Sequence, residues 1–585
     1  MELSDTSEEG SRSVIRISGL SVWTPEEKSW WRRKVIKPST LILNNISGCI
    51  KEGEFAAILG PSGAGKTTFL VSLAGKCQMP TRGVVTLGGR DVRLTQGAVE
   101  IVPQHDVFMP GLTVDEHLVF MTELKVGNCK TDRVKRMLRD LMKEMNLKNI
   151  ARTNISKLSG GEKRLLSLTT SLLSSPQILM CDEPTTGLDS YNALLVVDTL
   201  KKLTLCGKAV ICTVHQPSMD LLKQFSSIML MADGKLLFHG SHDECKDMFE
   251  SLNLYCPKNY NPAEFYIREV SRLSPELTGK MEATYQPLCD TPNEFPARKP
   301  VYRRNWFKQV QLLLWRSSLT FSRDLKGQLF QLFVNVVVTS LVIGTCYVGI
   351  SGTSQRGVQD LRGLLWLMTS EVCFALAYSA LFAFEEDLSL FKREVGTYSC
   401  SSYYVARLLG YVPRCVAWPL VLVLLMTLAV QLPQHALTAT KFFVTLSFAA
   451  VAASAYGLGM GALFTSTGAM GDVMPCADLP LFLMSGAFLR VSSLPFWLQP
   501  LRFLSHFYYA MDAVSNIYWR QIGHIDCPTN STSVCFNDGA SVLVEAGYST
   551  NFILQDSLGM LGVTVFWSIL AYYGLKREEK KGYAY

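Results

Sequence analysis

Apolar residues fall along this chain in two unlike rhythms. Up to about residue 270 they come in runs of strand length: FAAILG at 55–60, VEIVPQ at 99–104, QILMCDE at 177–183, KAVICTVHQ at 208–216 and IMLMADGKLLFHG at 228–240. Glycine-rich turns and amphipathic stretches of about 10–15 residues separate them. Short β-rich runs alternating with helical segments predict an α/β domain, residues 1–270, built on a largely parallel sheet. From 271 to 300 the sequence SRLSPELTGKMEATYQPLCDTPNEFPARKP is polar and proline-bearing, which predicts a linker.

Beyond residue 300 the apolar runs lengthen, and 301–585 is predicted to be an all-α membrane domain. QVQLLLWRSSLTFSRD at 309–324 has apolar residues at helical spacing on a basic, aromatic background. It predicts a connecting helix within 302–324 at the cytosolic membrane surface. Stretches able to cross about 30 Å of hydrocarbon place six spans near 329–350, 363–384, 405–430, 441–464, 470–490 and 556–575. In the fifth of these, Asp472, Pro475, Asp478 and Pro480 crowd the first half.

Arg316, Arg323 and Lys326 precede the first span, Lys392 and Arg393 follow the second, and Lys576, Arg577, Lys580 and Lys581 follow the last. The positive-inside rule makes these places cytosolic, consistent with six crossings and both termini inside. The loop 491–555 then faces outward. Its apolar, aromatic stretch 493–519 reads as a re-entrant or interfacial pair of short helices. Downstream, Asn530-Ser531-Thr532 is a glycosylation acceptor, flanked by Cys527 and Cys535, for which an external disulfide is expected. The other fourteen cysteines lack a CxxC metal pattern and are expected to be packing residues.

Composition narrows the classes. At 585 residues the chain exceeds one hydrophobic core. With 48% hydrophobic and 18% charged residues it is too apolar for an ordinary soluble enzyme and excludes a disordered tail. A net charge of +7 without a long Lys/Arg run argues against nucleic acid as a partner. The acidic, polar start MELSDTSEEGSRS lacks the pattern of a cleaved signal peptide, so the N-terminal domain is expected in the cytosol.

Three motifs carry chemistry. GPSGAGKT, comprising Gly60, Pro61, Ser62, Gly63, Ala64, Gly65, Lys66 and Thr67, follows a strand and opens the helix beginning Thr67-Thr68. Such a loop surrounds phosphates with backbone N–H groups, while its lysine reaches the β/γ-phosphates and its Thr/Ser binds Mg²⁺. ILMCDE ends a buried strand with Asp182, able to hold Mg²⁺, and Glu183, able to polarise an attacking water. Alone, that pair would read as a solvated turn; beside the phosphate loop it does not. In LSGGE, Ser159, Gly160 and Gly161 form another helix-start anion cradle. One phosphate loop needs only one cradle, so the second implies a nucleotide held elsewhere, most simply in a head-to-tail pair of domains that each close the other's ATP.

These residues resemble the ATP-binding cassette transporters, with LSGGE as the signature motif. The resemblance implies ATP and Mg²⁺ as cofactors and an ATPase coupled to transport. It assigns Gln104 in VPQHD as the Q-loop residue joining Mg²⁺ to the membrane domain, Asp189 in TTGLDS as the D-loop, and His215 in TVHQPS as the γ-phosphate switch. Trp23 lies roughly where an aromatic stacks on adenine, with Trp30 or Trp31 as substitutes.

HQPS, NPAEF (Asn261 to Phe265) and FKREVGTYSCSSYYVARLLGYVP (391–413) further resemble subfamily G, which shares this domain order. Within it the chain is most similar to the insect White/Brown eye-pigment precursor transporters, Brown in particular. The family implies a half-transporter needing a second half, identical or related, in a plasma or vesicle membrane. It also implies Thr369, Glu371 and Phe374 as cavity residues and Phe488 as an apolar plug. Glu371 is equally readable as a carboxyl capped within the bundle, and Glu385, Glu386 and Asp387 as a solvated span end. Pigment precursors such as guanine or tryptophan derivatives are the expected substrates. A sterol or lipid exporter and a nucleotide-gated, non-pumping membrane protein are the alternatives.

Overall fold

The computed structural model describes residues 13–28, 35–95, 97–127, 131–272, 279, 281, 304–430, 435–464, 467–490, 494–527, 535–548 and 553–581. Most of the expected linker, Trp30, Trp31 and Asn530 lie outside the described residues. The chain divides into two compact units, Met1–Arg304 with Lys581–Tyr585, and Asn305–Lys580.

In the first unit a six-stranded sheet runs in the order Lys235–Gly240, Ser227–Ala232, Phe55–Leu59, Ala209–Thr213, Ile178–Cys181, Val99–Val102. Every pairing is parallel except the hairpin of the first two. Four of these strands are buried at every position, which is why they read as unbroken apolar runs rather than as alternation.

A second, antiparallel sheet joins Leu41–Lys51, Ser13–Trp23, Thr81–Leu87 and Arg90–Asp91. The apolar pattern did not announce it. Register shifts interrupt Ser13–Trp23 on both sides, and each extra residue at a bulge turns the following side chains to the other face.

In the second unit five described helices are long and apolar enough to cross a membrane: Leu325–Cys346, Gln355–Arg393, Cys400–Ala429, Ala436–Leu463 and Leu554–Lys580. The expected fifth span differs. It forms the 17-residue helix Thr467–Leu483, with Pro475 and Pro480 inside it, about 25 Å of helix at 1.5 Å per residue. Gly486 turns the chain away with φ +85°. The two acids there differ in setting: Asp472 is exposed, whereas Asp478 is buried and accepts the Tyr456 hydroxyl at 2.6 Å.

Small residues let helices approach. A Cβ on Gly457 would lie 2.1 Å from the Ala377 carbonyl oxygen, so the fourth span sits backbone to backbone against the second. The stretch after 493 folds as a 3₁₀ turn, Gln499–Leu504, and the helix His506–Trp519, buried at every position but Tyr509. The disulfide Cys527–Cys535 follows, Cα atoms 6.1 Å apart.

The connecting helix is Trp306–Arg323. Arg316, one of the basic residues ahead of the first span, is buried, its Nη1 donating to both carboxylate oxygens of Glu394 at 2.7 and 2.8 Å. The Tyr398 hydroxyl adds a third bond to Glu394 at 2.6 Å. Asp387 is likewise not at a solvated end: the second span continues to Arg393, and Asp387 pairs with Arg407. The side chains of Glu385 and Glu386 lie outside the described residues.

Candidate nucleotide site

Parallel strands deliver their carboxyl ends to one edge of the sheet, the usual place for a site in open α/β folds. Phe55–Leu59 ends in the loop Gly60–Gly65, Ile178–Cys181 in Asp182 and Glu183, Val99–Val102 in Gln104, and Ala209–Thr213 in His215. Four separate motifs thereby converge because four apolar runs pair in register.

The loop wraps into the N-terminus of the helix Lys66–Leu73, with Gly63 and Gly65 at φ +82° and +89°. These are left-handed conformations natural only to glycine. A Cβ on Gly60 would meet the Met231 carbonyl oxygen at 2.2 Å. The Lys66 ammonium donates to the carbonyls of Gly60 at 2.8 Å and Pro61 at 3.0 Å. Burial pulls its pKa below the ordinary value, opposed by the carboxylates of Glu183 and Asp182.

Asp182 is 1% exposed. One oxygen accepts from Thr213 Oγ1 at 2.5 Å and Thr67 Oγ1 at 3.3 Å. The other, Oδ2, is buried with no hydrogen-bond partner among the described residues. Burial raises the pKa of this carboxyl and the two threonine hydroxyls oppose it. A buried carboxylate oxygen lacking a donor, beside a threonine hydroxyl at a phosphate loop, suits the hard oxygen set of Mg²⁺.

Glu183 has φ +43°, an uncommon conformation for a non-glycine residue that the surroundings must hold. Its N–H donates to Thr213 Oγ1 at 2.8 Å, and its carboxylate accepts from Gln104 Nε2 at 2.8 Å and Thr186 Oγ1 at 2.9 Å. Gln104, Glu183, Asp182 and Thr67 are therefore one connected set. Thr213 was not singled out from the sequence, although it occupies the middle of this set. The signal was a lone hydroxyl as the last residue of an apolar strand.

His215 is exposed just past its strand. Trp23 is half-buried at the end of Ser13–Trp23, its N–H bonded to the Pro80 carbonyl at 3.0 Å. Ser159 caps the helix Gly160–Leu172: its Oγ accepts from the Glu162 N–H at 3.3 Å and the Glu162 carboxylate accepts from the Ser159 N–H at 2.8 Å. Asp189 caps Ser190–Leu205 through the Asn192 N–H at 2.7 Å.

In the membrane unit two of the expected pathway residues, Phe374 and Phe488, share Phe482 as a neighbour. Thr369 is buried with its hydroxyl on the Leu365 carbonyl at 2.9 Å. Glu371 is half-buried. Phe374 packs on Phe482 and Phe507, and Phe488, 62% exposed, touches Trp366 and Phe482.

Residues 43–186 match the family model described as ABC transporter, and residues 308–519 match ABC-2 type transporter, with a second model of that description matching 215–288. The chain is 32% identical to protein scarlet of Drosophila melanogaster, over 98% of this chain and 93% of that protein. It is 30% identical to protein white of the same fly, over 94% and 85%. To protein brown the identity is 28%, over 96% and 97%. The leaning toward brown thus gives way to a higher identity with scarlet.

Proposed function

Since the chain belongs to the G family of ATP-binding cassette half-transporters, we propose that two cassettes share their ATP sites and that the pair moves a small aromatic or hydrophobic substrate across a membrane. The family makes the cassette an ATP-binding ATPase coupled to transport. Its residue roles are our reading. Gly60 to Thr68 cradle the phosphates, with Lys66 leaving the Gly60 and Pro61 carbonyls for the β/γ-phosphates. Thr67, Asp182 and Gln104 would hold Mg²⁺, which supplies charge neutralisation at the phosphates when bound.

Glu183 takes the proton of the attacking water. Gln104 and Thr186 fix its carboxylate, and Thr213 fixes its backbone. His215, exposed at the sheet edge, steadies the γ-phosphate end, and Trp23 stacks on the base. Ser159, Gly160 and Gly161 serve the neighbouring cassette's nucleotide across a dimer, while Asp189 orders the adjoining turn.

The observation that carries this reading is the Gln104–Glu183–Thr213–Asp182–Thr67 hydrogen-bond chain at one sheet edge. Closure on ATP and separation after hydrolysis would rock the membrane domains between inward and outward openings. The cassette is read as cytosolic and Asn530 as glycosylated outside.

For the substrate, the White/Brown resemblance favours pigment precursors, guanine or tryptophan derivatives, over sterols. Glu183→Gln in membrane vesicles tests the base: ATPase should be lost while ATP binding persists. Normal turnover in that variant would overturn the assignment. Stimulation of ATPase by guanine or a tryptophan derivative, and not by a sterol, is the expected substrate result.

A further inference from the structure

Arg164 lies two residues beyond the signature motif, one turn into the helix Gly160–Leu172, and is 3% exposed. Its guanidinium is filled with acceptors. Nε donates to the Pro184 carbonyl at 3.2 Å and Nη2 to the Asp182 carbonyl at 2.8 Å. Nη1 reaches the carbonyls of Pro103 at 2.5 Å and Gln104 at 3.3 Å, and Asp106 Oδ1 at 3.3 Å. The carbonyls of residues 182 and 184 bracket Glu183, the residue at φ +43°. Those of 103 and 104 carry Gln104, which itself bonds the Glu183 carboxylate.

A planar, permanently charged fork is the one side chain able to satisfy so many acceptors at once, and lysine is not equivalent to it. We infer that Arg164 is the positioning residue that joins the signature helix to the turn carrying Glu183 and to the Q-loop. In this arrangement, movement of the signature helix, which serves one nucleotide, reaches the base that serves another. The base is set when the signature helix is seated and disturbed when it withdraws. The inference rests on the shared-site reading and on Glu183 as the base, and extends both by naming the connection inside each cassette.

The Glu183 side chain and the phosphate loop do not depend on Arg164 for a direct bond, so nucleotide affinity should survive its loss. The test uses the full-length transporter in vesicles with Arg164→Lys and Arg164→Met. The expected result is a kcat for ATP lowered at least tenfold in both, with KM and equilibrium ATP binding within about twofold of the parent. Arg164→Lys retains the charge, and its thermal transition monitors folding should Arg164→Met fail to assemble.

A normally melting Arg164→Lys whose kcat stays within twofold overturns the inference, and so does one in which KM alone rises. Glu183→Gln separates the two levels. If Glu183→Gln abolishes turnover and Arg164→Lys does not, the connection is wrong and the base assignment stands. If Glu183→Gln turns over normally, the base assignment itself fails.

Discussion

Replacing Thr213 by valine removes a single hydroxyl of nearly unchanged shape, yet that hydroxyl holds both acidic residues of the site. It donates to the Asp182 carboxylate at 2.5 Å and accepts the Glu183 N–H at 2.8 Å, in a strand position with no exposure. A hydrogen bond to a charged group contributes about 1.5–3 kcal/mol and a neutral one about 1 kcal/mol. Thr213→Val therefore removes about 2.5–4 kcal/mol of local support. It also takes the acceptor from a partly buried N–H on a residue already in a left-handed conformation.

With about 1.4 kcal/mol per factor of ten, kcat should fall about tenfold if half of that support is felt in the transition state. It should fall by about sixtyfold to seven hundredfold if all of it is. Thr213→Ser keeps both bonds and loses only a methyl group, so it should retain most activity. The assay is steady-state ATP hydrolysis by the full-length protein, with the thermal transition recorded in parallel. A Thr213→Val protein with kcat within twofold of the parent refutes the claim that this hydroxyl positions the acids.

Arg316→Met should destabilise the membrane domain by about 3–5 kcal/mol, because Glu394 would stay buried without its cation. Arg316→Met with Glu394→Leu should recover most of the lost thermal transition, and a double variant worse than the single would contradict this. Glu100 is buried, which alone would raise its pKa. Lys125, Lys76 and Ser174 outweigh that and lower it from 4.5 to about 2. Its depressed folded value means that about 3 kcal/mol of stability is present above about pH 4.5 and lost as pH falls toward 2. Glu100→Gln should show a flatter acid limb in melting against pH; an unchanged limb contradicts it. Cys527→Ser should expose a thiol at Cys535 and shift migration on non-reducing gels, and Asn530→Gln should remove a glycosidase-sensitive band. Resistance of the parent protein to glycosidase would contradict an external loop.

Much of the cassette was legible because its functional residues follow apolar runs that the parallel sheet buries whole. Phe55–Leu59 and Ile178–Cys181 appear in the sequence as they appear in the fold. Ser13–Trp23 was not legible, since bulges scramble its alternation. Five of the expected spans fall on helices long and apolar enough to cross a membrane, but hydropathy does not mark where those helices end: the second runs Gln355–Arg393, beyond 363–384 at both ends, and its last turns carry Asp387 paired with Arg407.

Charge rules also leave the partners of single residues unseen. Arg316 counts as positive-inside, but only the fold brings Glu394, 78 residues away, to its guanidinium. Thr213 and Arg164 escaped notice for the same reason. Their chemistry resides in acceptors contributed by distant segments, and neither residue type is distinctive at its position.

The central claim is that a signature motif completes the ATP site of another chain. A photoreactive amino acid placed at position 159 in Glu183→Gln protein, with ATP bound, reads this directly once the crosslinked peptides are sequenced. The account predicts capture of a phosphate-loop peptide from a second chain, either Gly60–Thr67 of another copy or the corresponding loop of a related half-transporter. Crosslinks confined to peptides of the same chain would contradict it.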